Sequence, residues 1–254
     1  MTAPDTTTTA GATFAAAPPA GAACGRRAAT YWPAHARFWL IAVGGLTLDL
    51  WSKDWAFHTL RQGGRQTLIP GVLEFQTMFN PGALFGIGHG LTDLFLIASL
   101  LALALVLWMF TQSSARRWGL HIALGGIFAG ALGNMYDRMF VRLVPQKVDG
   151  MVRYFDVREE AGGLALREYP PDGRGLERLL PEEFRERLPE AYGYVRDFIK
   201  IDTTVYGREL WPWVFNVADM LLVGGVAILA IQLLRERSAP SESAAAAATA
   251  GPAP

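Results

Sequence analysis

The sequence is poor in several residue types on which common functional sites depend. Its 254 residues include one cysteine, which excludes both a disulfide within the chain and a thiolate metal site. The four histidines are scattered and do not form the His-Glu-x-x-His pattern of zinc peptidases. Lysine plus arginine (23) equals aspartate plus glutamate (23), so the basic excess that is typical of nucleic-acid-binding proteins is missing.

Apolar residues, by contrast, are abundant and unevenly distributed. The chain is 51% hydrophobic and 18% charged, and the apolar residues collect in four long stretches. Each stretch approaches the roughly 20 residues that a helix needs to cross a bilayer. We therefore predict an all-α membrane protein, a four-transmembrane-helix bundle with spans near 38–57, 94–110, 118–136 and 213–234.

The stretches between and outside the spans predict the domain organisation. Residues 1–37 and 236–254 are rich in Ala, Thr, Ser and Pro, so we expect disordered tails around one membrane domain at 38–235. A long polar insert, about 139–193, interrupts the third loop. Its charged segment 177–188 has a proline near its start and helical apolar spacing, which favours a short amphipathic surface helix.

Arginines next to the spans predict the orientation of the chain. The short link between the second and third spans carries Arg116 and Arg117, and positive residues mark cytoplasmic loops. Both termini are then cytoplasmic as well. The first and third spans end on the outer face of the membrane, where the fourth span begins.

Ionisable residues inside apolar spans are costly and therefore indicate functional positions. The spacing of Asp49 and Lys53 puts both side chains on one helix face. Asp219 lies in the first turns of the fourth span. The predicted topology brings these groups to the outer half of the membrane, together with further polar residues in Gly133-Asn134-Met135-Tyr136-Asp137-Arg138 and at Asn216.

Two carboxyl groups that converge in such a place behave as an acid–base pair. One ionises while the other keeps its proton, because like charges so close cannot both form. That pair can activate water and protonate a leaving amine, which predicts peptide-bond hydrolysis. The same polar residues also fit a small transporter or channel, or a scaffold in which they lock helices together.

Five short polar segments stand in order along the predicted spans and loops. The five are Asp49-Leu50-Trp51-Ser52-Lys53, Asn80-Pro81-Gly82-Ala83-Leu84-Phe85-Gly86, Gly125-Gly126 with Ala131-Leu132-Gly133-Asn134-Met135-Tyr136-Asp137-Arg138, Val195-Arg196-Asp197-Phe198-Ile199 and Phe215-Asn216-Val217-Ala218-Asp219. Together they resemble the bacterial lipoprotein signal peptidases, the signal peptidase II family of aspartic peptidases, in which the fourth segment reads Val-Val-Asp-Phe-Ile. Each segment is a weak signal alone, but their order on the predicted spans is specific.

The resemblance implies a function and a set of site residues. Such enzymes sit in the bacterial inner membrane, need no metal or cofactor, and remove the signal peptide from prolipoproteins by cutting before a diacylglyceryl-modified cysteine. It further implies a small extracytoplasmic β-cradle, contact with membrane lipids but not nucleic acid, and a monomer. Asp197 and Asp219 map onto the catalytic pair, and the supporting positions are Asp49, Lys53, Asn80, Gly82, Asn134, Asp137, Arg138 and Asn216.

The insert is a departure from the family pattern, and it leaves the register of one catalytic acid open. Asp137 and Asp197 are 60 residues apart, whereas the family joins these positions by a short link. Asp149 and Asp156, both inside the insert, compete for the place of Asp197. We favour Asp197 because its flanking residues match in register and because its distance to Asp219 is close to that in the family.

Overall fold

The computed structural model describes residues 26–82, 92–160 and 163–238. Within them, a helix covers each of the first three predicted spans and extends beyond it. The fourth helix begins at Val217, four residues after the predicted start at 213, because residues 214–215 form a strand. The expected tails lie largely outside the described residues, although the first helix already begins at Trp32. The helices are α1 (Trp32–Leu60), α2 (Thr92–Gln112), α3 (Trp118–Phe140) and α4 (Val217–Ser238).

The prediction of an all-α four-transmembrane-helix bundle is wrong. The described residues form three sheets besides the helices, with about 50% of the structure helical and 29% in strands. In these residues only two helices, at Leu94–Gln112 and Val217–Arg235, are long and apolar enough to cross a membrane by length and composition. The error has a physical cause, since hydropathy detects apolar helices but is blind to short strands in polar loops.

The first sheet, here the cradle sheet, has four antiparallel strands in the order β1-β2-β8-β11. Asn80 pairs with Val195 and Met78 with Asp197, so these residues share one face, the front. Phe79 and Arg196 pair on the opposite face, the back. The strands are β1 (Arg65–Ile69), β2 (Leu73–Asn80), β8 (Val195–Ile201) and β11 (Val214–Phe215).

The polar insert forms the second sheet, here the insert sheet, with the antiparallel order β6-β5-β4-β3-β7. Its first hairpin turns at Asp149 and Gly150, both with positive φ (51° and 80°), which is the Asp-Gly turn that suits twisted strands. The strands are β3 (Arg142–Val148), β4 (Met151–Glu160), β5 (Gly163–Glu168), β6 (Glu177–Leu180) and β7 (Tyr192–Gly193). A two-stranded hairpin, β9 (Thr204–Val205) with β10 (Arg208–Glu209), completes the β structure.

The amphipathic helix expected at 177–188 is not formed. Its first part is strand β6, and only Glu182–Arg187 adopts a short 3-10 helix with no buried residue. Strand pairing overrides the helical spacing here, because β5 offers its open edge to residues 177–180.

The insert sheet packs against the back of the cradle sheet through aromatic side chains. Phe79 of β2 lies 4.7 Å from Tyr154 and 5.6 Å from Tyr169, measured between ring centroids. The amide of Gln62 adds three hydrogen bonds, donating to the carbonyls of Tyr154 (2.7 Å) and Tyr169 (2.9 Å) and accepting from the Tyr154 N–H (2.9 Å). The insert therefore supports the cradle sheet from behind.

Helix α3 packs closely against α1 and α4 because glycines line its contact faces. A Cβ atom at Gly130 would lie 2.3 Å from the backbone oxygen of Ala218 on α4. A Cβ atom at Gly133 would lie 2.4 Å from Oδ2 of Asp49 on α1. Small residues allow such helix approach, and here the approach brings the polar residues of three helices to one place.

Candidate active site

Asp197 stands on the front face of strand β8 and is fully buried. Two amide side chains donate hydrogen bonds to its carboxylate. Asn80 of β2 donates to Oδ2 at 3.0 Å, and Asn216 donates to Oδ1 at 2.6 Å. Both donors are fixed by neighbouring elements, so the carboxyl group has one orientation in the fold.

Asp219 lies in the first turn of α4, where it forms a reciprocal cap with Asn216. The N–H of Asn216 donates to Oδ2 of Asp219 at 3.1 Å, and the N–H of Asp219 donates to Oδ1 of Asn216 at 3.0 Å. Asn134 of α3 donates to the other carboxylate oxygen at 2.8 Å. Unlike Asp197, this side chain is partly exposed.

Asn216 connects the two acids directly. It is fully buried and bonds Asp197 through its side chain and Asp219 through its backbone N–H. Its amide also donates to Oδ1 of Asn134 at 3.1 Å. The two carboxyl groups therefore share one asparagine between them, although 22 residues separate them in sequence.

The surroundings hold the proton of the pair on Asp197. Burial, with the nearby Asp219 carboxylate, raises the pKa of the Asp197 carboxyl to about 8. The hydrogen bonds from Asn80 and Asn216 act in the opposite direction because they stabilise the charged form. At neutral pH, Asp197 is thus suited to donate a proton, and the more accessible Asp219 is placed to accept one from water.

A buried ionic group lies behind this pair. Lys53 donates to Oδ2 of Asp49 at 2.8 Å, which is the pair that their spacing predicts, and to Oδ1 of Asn134 at 3.0 Å. Its Nζ also lies 3.4 Å from Oδ2 of Asp137. Asp49 in turn accepts from the backbone N–H of Ala218 at 2.8 Å, which anchors the first turn of α4. Such groups hold geometry, since losing one partner leaves an uncompensated buried charge.

Arg138 and Gly82 lie at the edge of the site. The guanidinium of Arg138 stands 5.1 Å from the ring centroid of Phe95, a cation–π distance, and its Nη1 reaches the backbone oxygen of Asn134 at 3.4 Å. Gly82 has a φ of 88° and donates its N–H to Oδ1 of Asn80 at 2.9 Å. The rest of its motif, 83–86, lies outside the described residues.

Neither rival of Asp197 is placed in this cluster. Asp149 forms the hairpin turn between β3 and β4, and Asp156 on β4 pairs with Arg158 at 2.8 Å. Of the three acids, Asp197 alone accepts hydrogen bonds from Asn80 and Asn216. Across the described parts of the chain, no group of three or more His, Cys, Asp or Glu side chains could hold a metal ion.

Two residues near the site were not foreseen from the sequence. Arg196 donates to both oxygens of Asp137, and Tyr169 of the insert accepts a hydrogen bond from the same guanidinium. The sequence does offer a signal for Arg196, because a charged residue stands where the family motif that it resembles has valine. Tyr169 offered no comparable signal, since its position follows from the fold of the insert.

Comparison with known proteins identifies relatives of the chain. Residues 41–235 match a family model described as signal peptidase (SPase) II. A lipoprotein signal peptidase of Rhodopirellula baltica is 30% identical over 203 residues, which cover 78% of this chain and 71% of that protein. One of Clostridium novyi is 29% identical over 197 residues, covering 78% and 97%. A solved bacterial membrane enzyme, 23% identical with a TM-score of 0.56 over 86% of this chain and 96% of its own, shares the fold.

Proposed function

The chain belongs to the signal peptidase II family, and we propose that Asp197 and Asp219 are the acids with which it hydrolyses its substrate. The family activity is that of a lipoprotein signal peptidase: the protein is a membrane-bound hydrolase, an aspartic-type endopeptidase that acts on lipoprotein precursors. The resemblance noted in the sequence is thereby confirmed. The transporter or scaffold alternative is not favoured.

The observation that carries the proposal is the shared asparagine. Asn216 bonds Asp197 and Asp219 at once, so the acids face one small space at the junction of β8, α3 and α4. A water molecule there gives a proton to Asp219 as its oxygen attacks the scissile carbonyl carbon. The C–N bond then breaks while Asp197 gives its proton to the leaving nitrogen, and the proton on Asp219 returns to Asp197 for the next cycle.

The finer features of the substrate belong to the proposal as well. We infer that the enzyme cuts before a cysteine carrying a diacylglyceryl group, as a monomer in contact with membrane lipids. The site lies where apolar helices meet a polar sheet, so lipid chains and the signal peptide can stay in the bilayer while water reaches the amide.

Replacing each acid by asparagine tests the catalytic pair. Asp197→Asn and Asp219→Asn preserve size but remove the ionisable group, so we expect each to lower cleavage of a lipidated precursor by about 10³-fold or more. Asp202→Asn, just beyond β8, is the matched control and should cleave at the wild-type rate. Normal cleavage by either active-site variant would refute the assignment.

The orientation of the chain is a separate proposal, in which both termini face the cytoplasm. The single cysteine, Cys24, provides a probe for it. In spheroplasts, a membrane-impermeant maleimide should label Cys24 only after permeabilisation. A Cys24→Ser, Tyr206→Cys protein should be labelled without permeabilisation, because Tyr206 is fully exposed at the β9–β10 turn. The reverse pattern would contradict the orientation and leave the catalytic proposal standing.

A further inference from the structure

Arg196 precedes the catalytic acid Asp197, and the pleat of β8 turns the two side chains to opposite faces. Asp197 faces the front with Asn80, whereas Arg196 lies opposite Phe79 on the back. The side chain of Arg196 is only 6% exposed. A guanidinium is rarely buried without a specific partner, so its contacts on the back face indicate what it does.

The first partner of Arg196 is Asp137 near the end of α3. The guanidinium donates to Oδ1 of Asp137 through Nη2 at 2.7 Å and Nε at 3.1 Å, and the backbone N–H donates to Oδ2 at 2.9 Å. Arg196 thus holds one carboxylate with both main chain and side chain. Since the next residue on the strand is Asp197, this contact fixes the position of the catalytic acid relative to the end of α3.

The second partner is Tyr169, which belongs to the insert. Nη1 of Arg196 donates to the Tyr169 hydroxyl at 3.1 Å. The Tyr169 ring packs 5.6 Å from Phe79 and 6.1 Å from Phe57, so the hydroxyl is presented by a rigid aromatic cluster. Nη1 also lies 4.0 Å from Oδ1 of Asp54 on α1. One guanidinium therefore joins the catalytic strand, helices α1 and α3, and the insert.

We propose that Arg196 is a positioning residue for Asp197, and that the insert acts on catalysis through the Tyr169–Arg196–Asp137 contact. This inference rests on the proposed function. The insert is therefore a buttress of the catalytic strand rather than a lid, since it packs on the back of the cradle sheet and Asp197 faces the front.

The geometry explains why such a buttress affects the reaction. Asp197 accepts a hydrogen bond of only 2.6 Å from Asn216, whose other contacts belong to α3 and α4. A small shift of β8 would separate Asp197 from that asparagine, and a displacement of about 1 Å at a reacting group lowers a rate by about 10²-fold. Binding of the substrate should change little, because Arg196 lies on the opposite face of the strand from Asp197.

Single and double substitutions test the proposal in the full-length enzyme with a lipidated precursor. Arg196→Met should lower kcat by about tenfold or more with KM within about twofold, because it removes the side-chain contacts with Asp137 and Tyr169. Arg196→Lys keeps the positive charge but lacks the planar guanidinium with its several N–H donors, so its kcat should remain well below that of the wild type. Tyr169→Phe should lower kcat by about threefold, and Tyr154→Phe, in the same aromatic cluster, should leave it unchanged.

The double variant separates positioning from general destabilisation. If Tyr169 acts through Arg196, the Tyr169→Phe change should have no further effect in the Arg196→Met background, whereas independent effects would multiply. Multiplying effects, or a normal kcat in Arg196→Met, would overturn the proposal. If Arg196→Met does not fold, the same comparison is made with Arg196→Lys.

Failure of this inference is distinguishable from failure of the proposed function. If Asp219→Asn abolishes cleavage while Arg196→Met and Tyr169→Phe cleave normally, the catalytic pair stands and the buttress is wrong. If Asp219→Asn cleaves normally, the catalytic pair itself is wrong.

Discussion

We expect hydrolysis to slow as the pH rises through about 8, because Asp197 must carry a proton to assist the leaving nitrogen. Burial beside Asp219 raises the pKa of Asp197 to about 8 in the enzyme without substrate. Its protonated fraction is then about 90% at pH 7 and about 10% at pH 9. This predicts a roughly tenfold fall in kcat/KM between these two values, since kcat/KM reports the free enzyme.

An Asn80→Ala substitution tests this prediction further, because it should shift the pKa of Asp197 in one defined direction. The Asn80 amide donates to Oδ2 of Asp197 at 3.0 Å and thereby favours the charged form. Removal of this amide should raise the pKa of Asp197 further. The fall of kcat/KM at alkaline pH, here the alkaline limb of the pH profile, should then move to higher pH, even though the maximal activity falls. Gln76→Ala, also on β2, is the matched control and should leave the limb in place.

The assay is cleavage of a lipidated precursor in detergent micelles from pH 6 to 10, with protein stability checked at each pH. A kcat/KM that is flat from pH 7 to 10 would refute the acid role of Asp197. A limb that moves to lower pH in Asn80→Ala would show that the asparagine does not stabilise the carboxylate. The first result would require another proton donor for the leaving nitrogen, whereas the second would contradict only the role of Asn80.

Gly133→Ala should destabilise the protein by about 1–3 kcal/mol in thermal unfolding, because the new Cβ would lie 2.4 Å from Oδ2 of Asp49. The control is Gly44→Ala, whose Cβ would meet nothing within 4 Å and which should be neutral or stabilising. Equal effects of the two substitutions would contradict the packing argument. Asn216→Ala should cost about 1 kcal/mol as a lost helix cap and abolish cleavage, whereas Asn216→Asp should keep the cap and still lose activity. Asp156→Asn should cleave at the wild-type rate, and loss of cleavage there would restore the alternative register.

The helices and the polar cluster could be predicted because each has a strong local signal. Apolar runs long enough for a bilayer determine helices, and the i, i+4 spacing of Asp49 and Lys53 determines which side chains meet. The cap formed by Asn216 and Asp219 also follows from spacing, since an acid three residues after the cap residue is a known helix start. These signals depend only on residues close together in the chain.

The sheets could not be predicted in the same way, because their stability comes from partners distant in sequence. Strand β2 pairs with β8 more than a hundred residues later, and no local pattern specifies that pairing. Within the insert, however, the Asp149-Gly150 turn between alternating residues is a hairpin signal that hydropathy averaging conceals. In the charged segment 177–188 a local signal is present but does not decide the structure, because pairing with β5 overrides the helical spacing.

The site residues likewise combine features with a local sequence signal and features that depend on distant contacts. Their types indicated acid–base chemistry, but which acids meet depends on the insert, whose length separates Asp137 from Asp197 in sequence. The fold brings these two together again through the backbone of Arg196. The family resemblance points to Asp197 as an active-site acid, whereas the surroundings of Asp197 follow only from the three-dimensional arrangement.

The opposite orientations of Arg196 and Asp197 also limit how this protein can vary. A deletion or insertion of one residue in β8 ahead of Arg196 would, unless a bulge absorbed it, reverse the side chains that follow, so that the acid faced Tyr169 and the arginine faced Asn80. Changes of length in the hairpin turns of the insert, such as the turn at Asp149 and Gly150, leave the alternation of side chains along β8 unchanged.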